Sequence, residues 1–233
     1  MRKVFFLLLL ISCGKPDKLK LFDGNSLEGW EGSNKIFKVK NNSIVGGSLI
    51  NPIDISYYLC TIKKYENFEL ELDAKFITDY IKINGGISFR ADRVPNSNEV
   101  MGYQADIGYI DASAIPLFSN FTPEDTSGIY PLWGSLVDEN RPNTSRYPKP
   151  DIFPVIIYKV ADKQLIEKTI DPNGWNKVNI KANGPNIEIQ INGITTAKYI
   201  EETDVPTKGC ICLQTHSGNP YEVWYKNIYL TNL

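Results

Sequence analysis

The chain has 233 residues, of which 42% are hydrophobic and 12% aromatic, enough apolar material for one large domain with its own core. Its 25 basic and 27 acidic residues give a net charge of −2, and no lysine-rich run stands out. That balance excludes an electrostatic nucleic-acid binder.

The chain opens with a targeting signal. Arg2 and Lys3 form a positive start, and Val4 to Ile11 is an apolar run too short to span a bilayer. Leu10-Ile11-Ser12-Cys13 follows and resembles a bacterial lipobox, which implies lipidation of Cys13 and a mature protein anchored in the cell envelope. The expected division is a leader over 1–12, a polar tether over 13–19 and one domain over 20–233. Loss of Arg2 and Lys3 leaves 23 basic against 27 acidic residues, a charge of −4.

From residue 20 onward short strands follow one another. Lys20 to Trp30 reads as a strand, a turn at Asp23-Gly24 and an aromatic anchor. Strands are predicted over 36–40 and 43–50, joined at Asn41-Asn42. Residues 67–76 alternate cleanly, with Phe68, Leu70, Leu72, Ala74 and Phe76 on one face and charges on the other. That charge run is a solvated face.

The densest polar blocks come next. Along 85–90, Ser88 and Arg90 share a face; along 101–108, Gln104 and Asp106 share one, opposite Tyr103. If both polar faces line one sheet, Arg90, Gln104 and Asp106 converge. Trp133, Asp138, Glu139 and Arg141 then follow in a third block. The long segment between, 108–131, lacks periodicity and is expected to border a ligand site. A second irregular stretch, 141–154, carries four prolines. Residues 160–170 are the one short helix, stopped at Asp171-Pro172. Strands return over 176–182, 186–192, 194–200, 208–215 and 220–231, with Asn192-Gly193 as a hairpin turn. The class is all-β, a jelly-roll sandwich of two antiparallel sheets with one short helix.

Beyond Cys13 three cysteines remain. Cys210 and Cys212 share a strand face near His216, but C-x-C lies outside structural zinc spacing, so buried thiols are expected.

Several blocks occur in a set order: Leu21-Phe-Asp-Gly-Asn-Ser-Leu-Glu-Gly-Trp30, Gly86-Ile-Ser-Phe-Arg90, Gly102-Tyr-Gln-Ala-Asp-Ile-Gly108, Trp133-Gly-Ser-Leu136 and Leu213-Gln-Thr-His-Ser-Gly218. Together they resemble the 3-keto-disaccharide hydrolases, formerly domain of unknown function 1080. The resemblance implies a concanavalin A-like sandwich, secreted or lipid-anchored, that acts on 3-keto-glycosides. Here Val137 stands where relatives often carry tyrosine, and Pro142 follows Arg141 in place of a second arginine.

A C3 ketone acidifies the C2 proton, so a base can drive β-elimination of the C1 substituent, with water re-adding to the enone. Asp106, Glu139 and His216 are the candidate bases, and Arg90 and Arg141 the candidate stabilisers of the enolate. Tyr103 and Trp133 are candidate sugar platforms, with Gln104, Asp138 and Arg141 binding hydroxyls or holding a loop. No cofactor is required by this chemistry; a divalent metal shared by Asp106, Glu139 and His216 is an option. The expected partner is a small carbohydrate, with the membrane met only through the N-terminal lipid and no nucleic acid. A non-catalytic carbohydrate-binding lipoprotein is the alternative. An ordinary glucanase is disfavoured, because no short E-x-D-x-x-E pattern lies on a strand.

Overall fold

The structure, a computed structural model, describes residues 17–141 and 155–233. The expected leader, Cys13 and most of the proline-rich stretch lie outside the described residues.

In chain order the strands are β1 (Lys18–Lys20), β2 (Trp30–Glu31), β3 (Phe37–Lys40), β4 (Ser43–Ser48), β5 (Tyr57–Thr61), β6 (Phe68–Ile77), β7 (Asn84–Arg93) and β8 (Val100–Asp111). A turn of 3₁₀ helix and the one-turn helix α1 (Ile115–Phe118) precede β9 (Ile129–Pro131) and β10 (Leu136–Glu139). Then come β11 (Val155–Lys159), helix α2 (Lys163–Thr169), β12 (Asn176–Asn183), β13 (Asn186–Ile191), β14 (Ile194–Ile200), β15 (Cys210–Thr215) and β16 (Tyr221–Asn232).

They form two eight-stranded antiparallel sheets. One runs β14-β13-β12-β6-β16-β4-β3, with β1 on β16; the other runs β11-β10-β8-β7-β15-β5-β2, with β9 on β8. The all-β sandwich read from the sequence is the fold.

Period-two alternation builds the core between the sheets. Phe68, Leu70, Leu72, Ala74 and Phe76 of β6 point inward, and Ile87, Phe89, Tyr103, Ala105 and Ile107 meet them from the other sheet. The charged face of β6 is half-buried and pairs across strands, as in Asn179 to Glu69 and Asn227 to Asp73. At the β13–β14 turn Asn192 (φ 50°) and Gly193 (φ 82°) are both left-handed, as a tight hairpin matching sheet twist requires. Helix α2 starts where the Asp162 carboxylate accepts the Leu165 amide at 2.7 Å.

Two expectations change. The 108–131 segment carries structure of its own: Ile115 and Tyr130 pack with Leu132, Val137 and Ile157 into a small second core. And Cys212 is not a free thiol. It is bonded to Cys60, directly opposite on β5, with Cα atoms 4.0 Å apart. Strand β5 shows only Tyr-Tyr-Leu-Cys-Thr with no polar alternation, so the sequence did not announce the partner. Cys210 remains a buried free thiol, as expected.

Candidate functional site

The site grows from the outward face of the second sheet. Register sets Ser88 opposite Gln104 across β7–β8, and Gln104 opposite Val137 across β8–β10. Glu139, two residues along β10 from Val137, shares that face. On the other flank Gln214 of β15 lies opposite Tyr58 of β5.

These side chains close a hydrogen-bonded ring. Gln104 Nε2 donates to Glu139 Oε1 at 3.1 Å and to Gln214 Oε1 at 3.2 Å. Gln214 Nε2 donates to the Tyr58 hydroxyl at 2.7 Å. Tyr58 donates to Glu139 Oε2 at 3.0 Å and faces Glu99 Oε2 at 3.1 Å. Ser88 Oγ donates to Gln104 Oε1 at 2.9 Å, which fixes how the Gln104 amide points. Gly86 makes room for it, since a Cβ there would sit 2.2 Å from the Gln104 amide carbon.

Tyr58, Ser88, Gln104 and Gln214 are buried and Glu139 is half-buried, and burial governs the ring's charges. It pushes the Glu139 carboxyl up to about 7, against the lowering effect of the Tyr58 hydrogen bond. Asp106, one pleat beyond Gln104 on β8, is held well above the usual carboxylate range by burial and then by the charge of Glu139. Its Oδ1 has no hydrogen-bond partner, nor has the neighbouring Asn84 Oδ1. Tyr58 is likewise raised, by burial first and then by the adjacent carboxylates.

Of the residues expected from sequence, Gln104, Asp106 and Glu139 share this face; the others do not join them. Arg90 is turned away because β7 bulges between Phe89 and Asp92, with Arg90 itself at φ 48°. Its guanidinium binds the Glu66 carbonyl (3.0 Å), the Gly184 carbonyl (2.8 Å) and Asn67 Oδ1 (3.2 Å), tying the sheets together. The expected convergence of Arg90 with Gln104 and Asp106 is therefore absent. Asp138 lies opposite Tyr103 and points to the inner side. There it pairs with Arg141 at 3.3 Å and accepts from Tyr158 at 2.8 Å, while Arg141 lies 4.0 Å over the Tyr103 ring. These two hold an edge of the sandwich, away from the ring of polar groups. Tyr103 stacks on Phe89 and donates to Glu201 at 2.5 Å; Trp133 packs edge-on against Phe76. Both are core residues and offer no open platform. His216 is half-buried, its Nδ1 meeting the carbonyl of Ser217 at 2.9 Å, outside the ring. Among the described residues no three His, Cys, Asp or Glu side chains gather as a metal would need, so Asp106, Glu139 and His216 do not form the shared site considered above.

Sequence reading missed Tyr58, Ser88, Glu99 and Gln214. Ser88 and Gln214 were legible as polar positions inside otherwise apolar strands. Tyr58 sits in an unbroken apolar run, and only the pairing of β5 with β15 brings it to the carboxylate.

The fold has many solved counterparts. A putative glycosyl hydrolase from Parabacteroides distasonis superposes with a TM-score of 0.61 at 19% identity over 93% of this chain and 100% of that one. A second such protein from the same organism gives 0.57 at 19% identity, over 93% and 94%. The carbohydrate-binding module CBM66 of Bacillus subtilis gives 0.51 at 13% identity, over 88% and 96%. No curated protein matches the chain in sequence. A family model for the 3-keto-alpha-glucoside-1,2-lyase-like domain matches residues 17–231, nearly the whole described chain, and the protein belongs to that family.

Proposed function

We propose that the protein cleaves 3-keto-glycosides by removing the C2 proton and eliminating the C1 substituent. One observation carries this reading: a half-buried glutamate, Glu139, with each carboxylate oxygen oriented by a neutral donor and its carboxyl raised to about 7. A base poised there is half-ionised at neutral pH and strong enough to take a proton α to a ketone.

Gln104 and Tyr58 hold the base by Oε1 and Oε2. Asp106, whose carboxyl burial pushes well above the usual carboxylate range, is the donor to O3 as the enolate forms, the role sequence reading gave to arginine. As the C2 proton passes to Glu139, the C2–C1 double bond forms and the C1–O bond breaks. The departing oxygen takes a proton from water. Addition of water to the enone would then give the free 3-keto sugar. The family membership and the glycosyl hydrolase name of two structural neighbours support a glycoside substrate. Cell-envelope placement through lipidated Cys13 belongs to the same proposal.

The test is turnover in heavy water of a 3-keto-glycoside beside its unoxidised parent. Only the ketone should be cleaved, with loss of the C2 hydrogen, and Glu139→Gln should lower kcat by on the order of a hundredfold or more. Equal cleavage of both substrates would refute the elimination. Binding of the sugar without cleavage would leave the carbohydrate-binding alternative.

A further inference from the structure

The ends of β6, β7 and β8 leave a hollow of about 480 Å³ at one end of the sandwich. Phe76, Ile83 and Trp133 are buried beneath it, while Tyr80 and Ile81 stand at its rim, 46% and 70% exposed. Tyr109 lines it too, on the face of β8 that also carries Tyr103, Ala105 and Ile107. The hollow therefore lies across that strand from Gln104 and Asp106, apart from the candidate base. None of the described residues that line it is charged.

Two observations ask for an occupant. Tyr80 and Ile81 hold apolar surface in water on one short loop between β6 and β7. Below them the Trp133 Nε1–H faces the Tyr109 hydroxyl without closing a hydrogen bond to it, and it is shut off from water. Buried donors are almost always paired, so an unpaired one beside a cavity points to an acceptor on a ligand.

We propose that this hollow binds a neutral aromatic ring bearing an acceptor oxygen, either a free compound or the aglycone of a glycoside. Aromatic side chains receive the ring edge-on or offset, and the uncharged lining turns away ionised ligands. The volume suits a small ring system, not a helix or a polymer. As the ligand enters, the half-buried Tyr109 ring yields and the ligand oxygen accepts from Trp133 Nε1. The site holds whether or not the elimination does.

The test follows the four indole N–H signals of the ¹⁵N-labelled full-length protein as coumarin is added. Sequential assignment, or loss of the signal in Trp133→Phe, identifies the one that belongs to Trp133. That proton should move downfield and saturate, as a new hydrogen bond requires. Ile81→Asp should raise the Kd by on the order of tenfold or more, because it sets a charge in the apolar rim. Ile81 is exposed, so this variant keeps its fold even where Trp133→Phe does not. Phenyl glucoside giving the same shift, with glucose silent, upholds the site as an aglycone pocket. A response to coumarin alone upholds it for a free aromatic compound. No saturable shift of Trp133 up to the solubility of coumarin, or an unchanged Kd in Ile81→Asp, would overturn the site.

Discussion

Glu139 and Asp106 share one physical situation, a carboxyl raised by burial, partial for Glu139 and near complete for Asp106, and it has a consequence for stability as well as chemistry. Both are raised in the folded chain, mainly by burial. A carboxyl raised on folding binds more protons in the native state than in the unfolded one. Its contribution is full below the unfolded value, near 4.5 for glutamate, and is lost as pH rises through the folded value of about 7. For Glu139 that contribution is on the order of 3 kcal/mol. Thermal unfolding should therefore shift downward between pH 5 and pH 8, and Glu139→Gln should flatten the decline. A melting temperature that rises across that interval would contradict the assignment. Activity should run the other way, climbing toward pH 7 as Glu139 ionises.

At the scale of elements, the pairing of β5 with β15 places Tyr58 and Gln214 beside the base. The Cys60–Cys212 bridge sits two pairs further along the same ladder and on the same face. It closes a loop of 152 residues, so the unfolded chain loses much of its freedom. Replacing both cysteines by serine should lower unfolding free energy by about 2–5 kcal/mol. Because the bridge staples the strands that hold Tyr58 and Gln214, kcat should fall as well, measured below the new melting point. Unaltered denaturant and kinetic profiles under reducing conditions would show the bridge to be idle. The 108–131 segment acts at this scale too: it packs Ile115 and Tyr130 against Val137 on the site's side of the sheet.

For the whole molecule, two sheets closed over one core leave the second sheet's outward face as a scaffold for polar groups. Among the described residues no helix is long and apolar enough to cross a membrane. Attachment is expected through Cys13. Mass spectrometry of the native protein should find a diacylglycerol adduct there; an unmodified Cys13, or a mature chain starting elsewhere, would remove the lipid anchor from the account.

Period-two alternation, turn residues and ordered blocks determined the class, most strands and the family, because these are local signals that survive in one dimension. Helix α2, read over 160–170 and found over Lys163–Thr169, and the Asn192-Gly193 hairpin belong with them. The same alternation put Gln104 and Asp106 on a common face, and that holds along β8. It failed at Arg90, where one bulge re-aims the chain, a change no residue spacing encodes. It could not set Asp138 against Glu139, since which neighbour faces inward depends on register with Tyr103 and Gly102. Tyr58, Glu99 and Gln214 meet Glu139 from distances of 40 to 81 residues along the chain, so their union was decided only by strand order in the folded sheet.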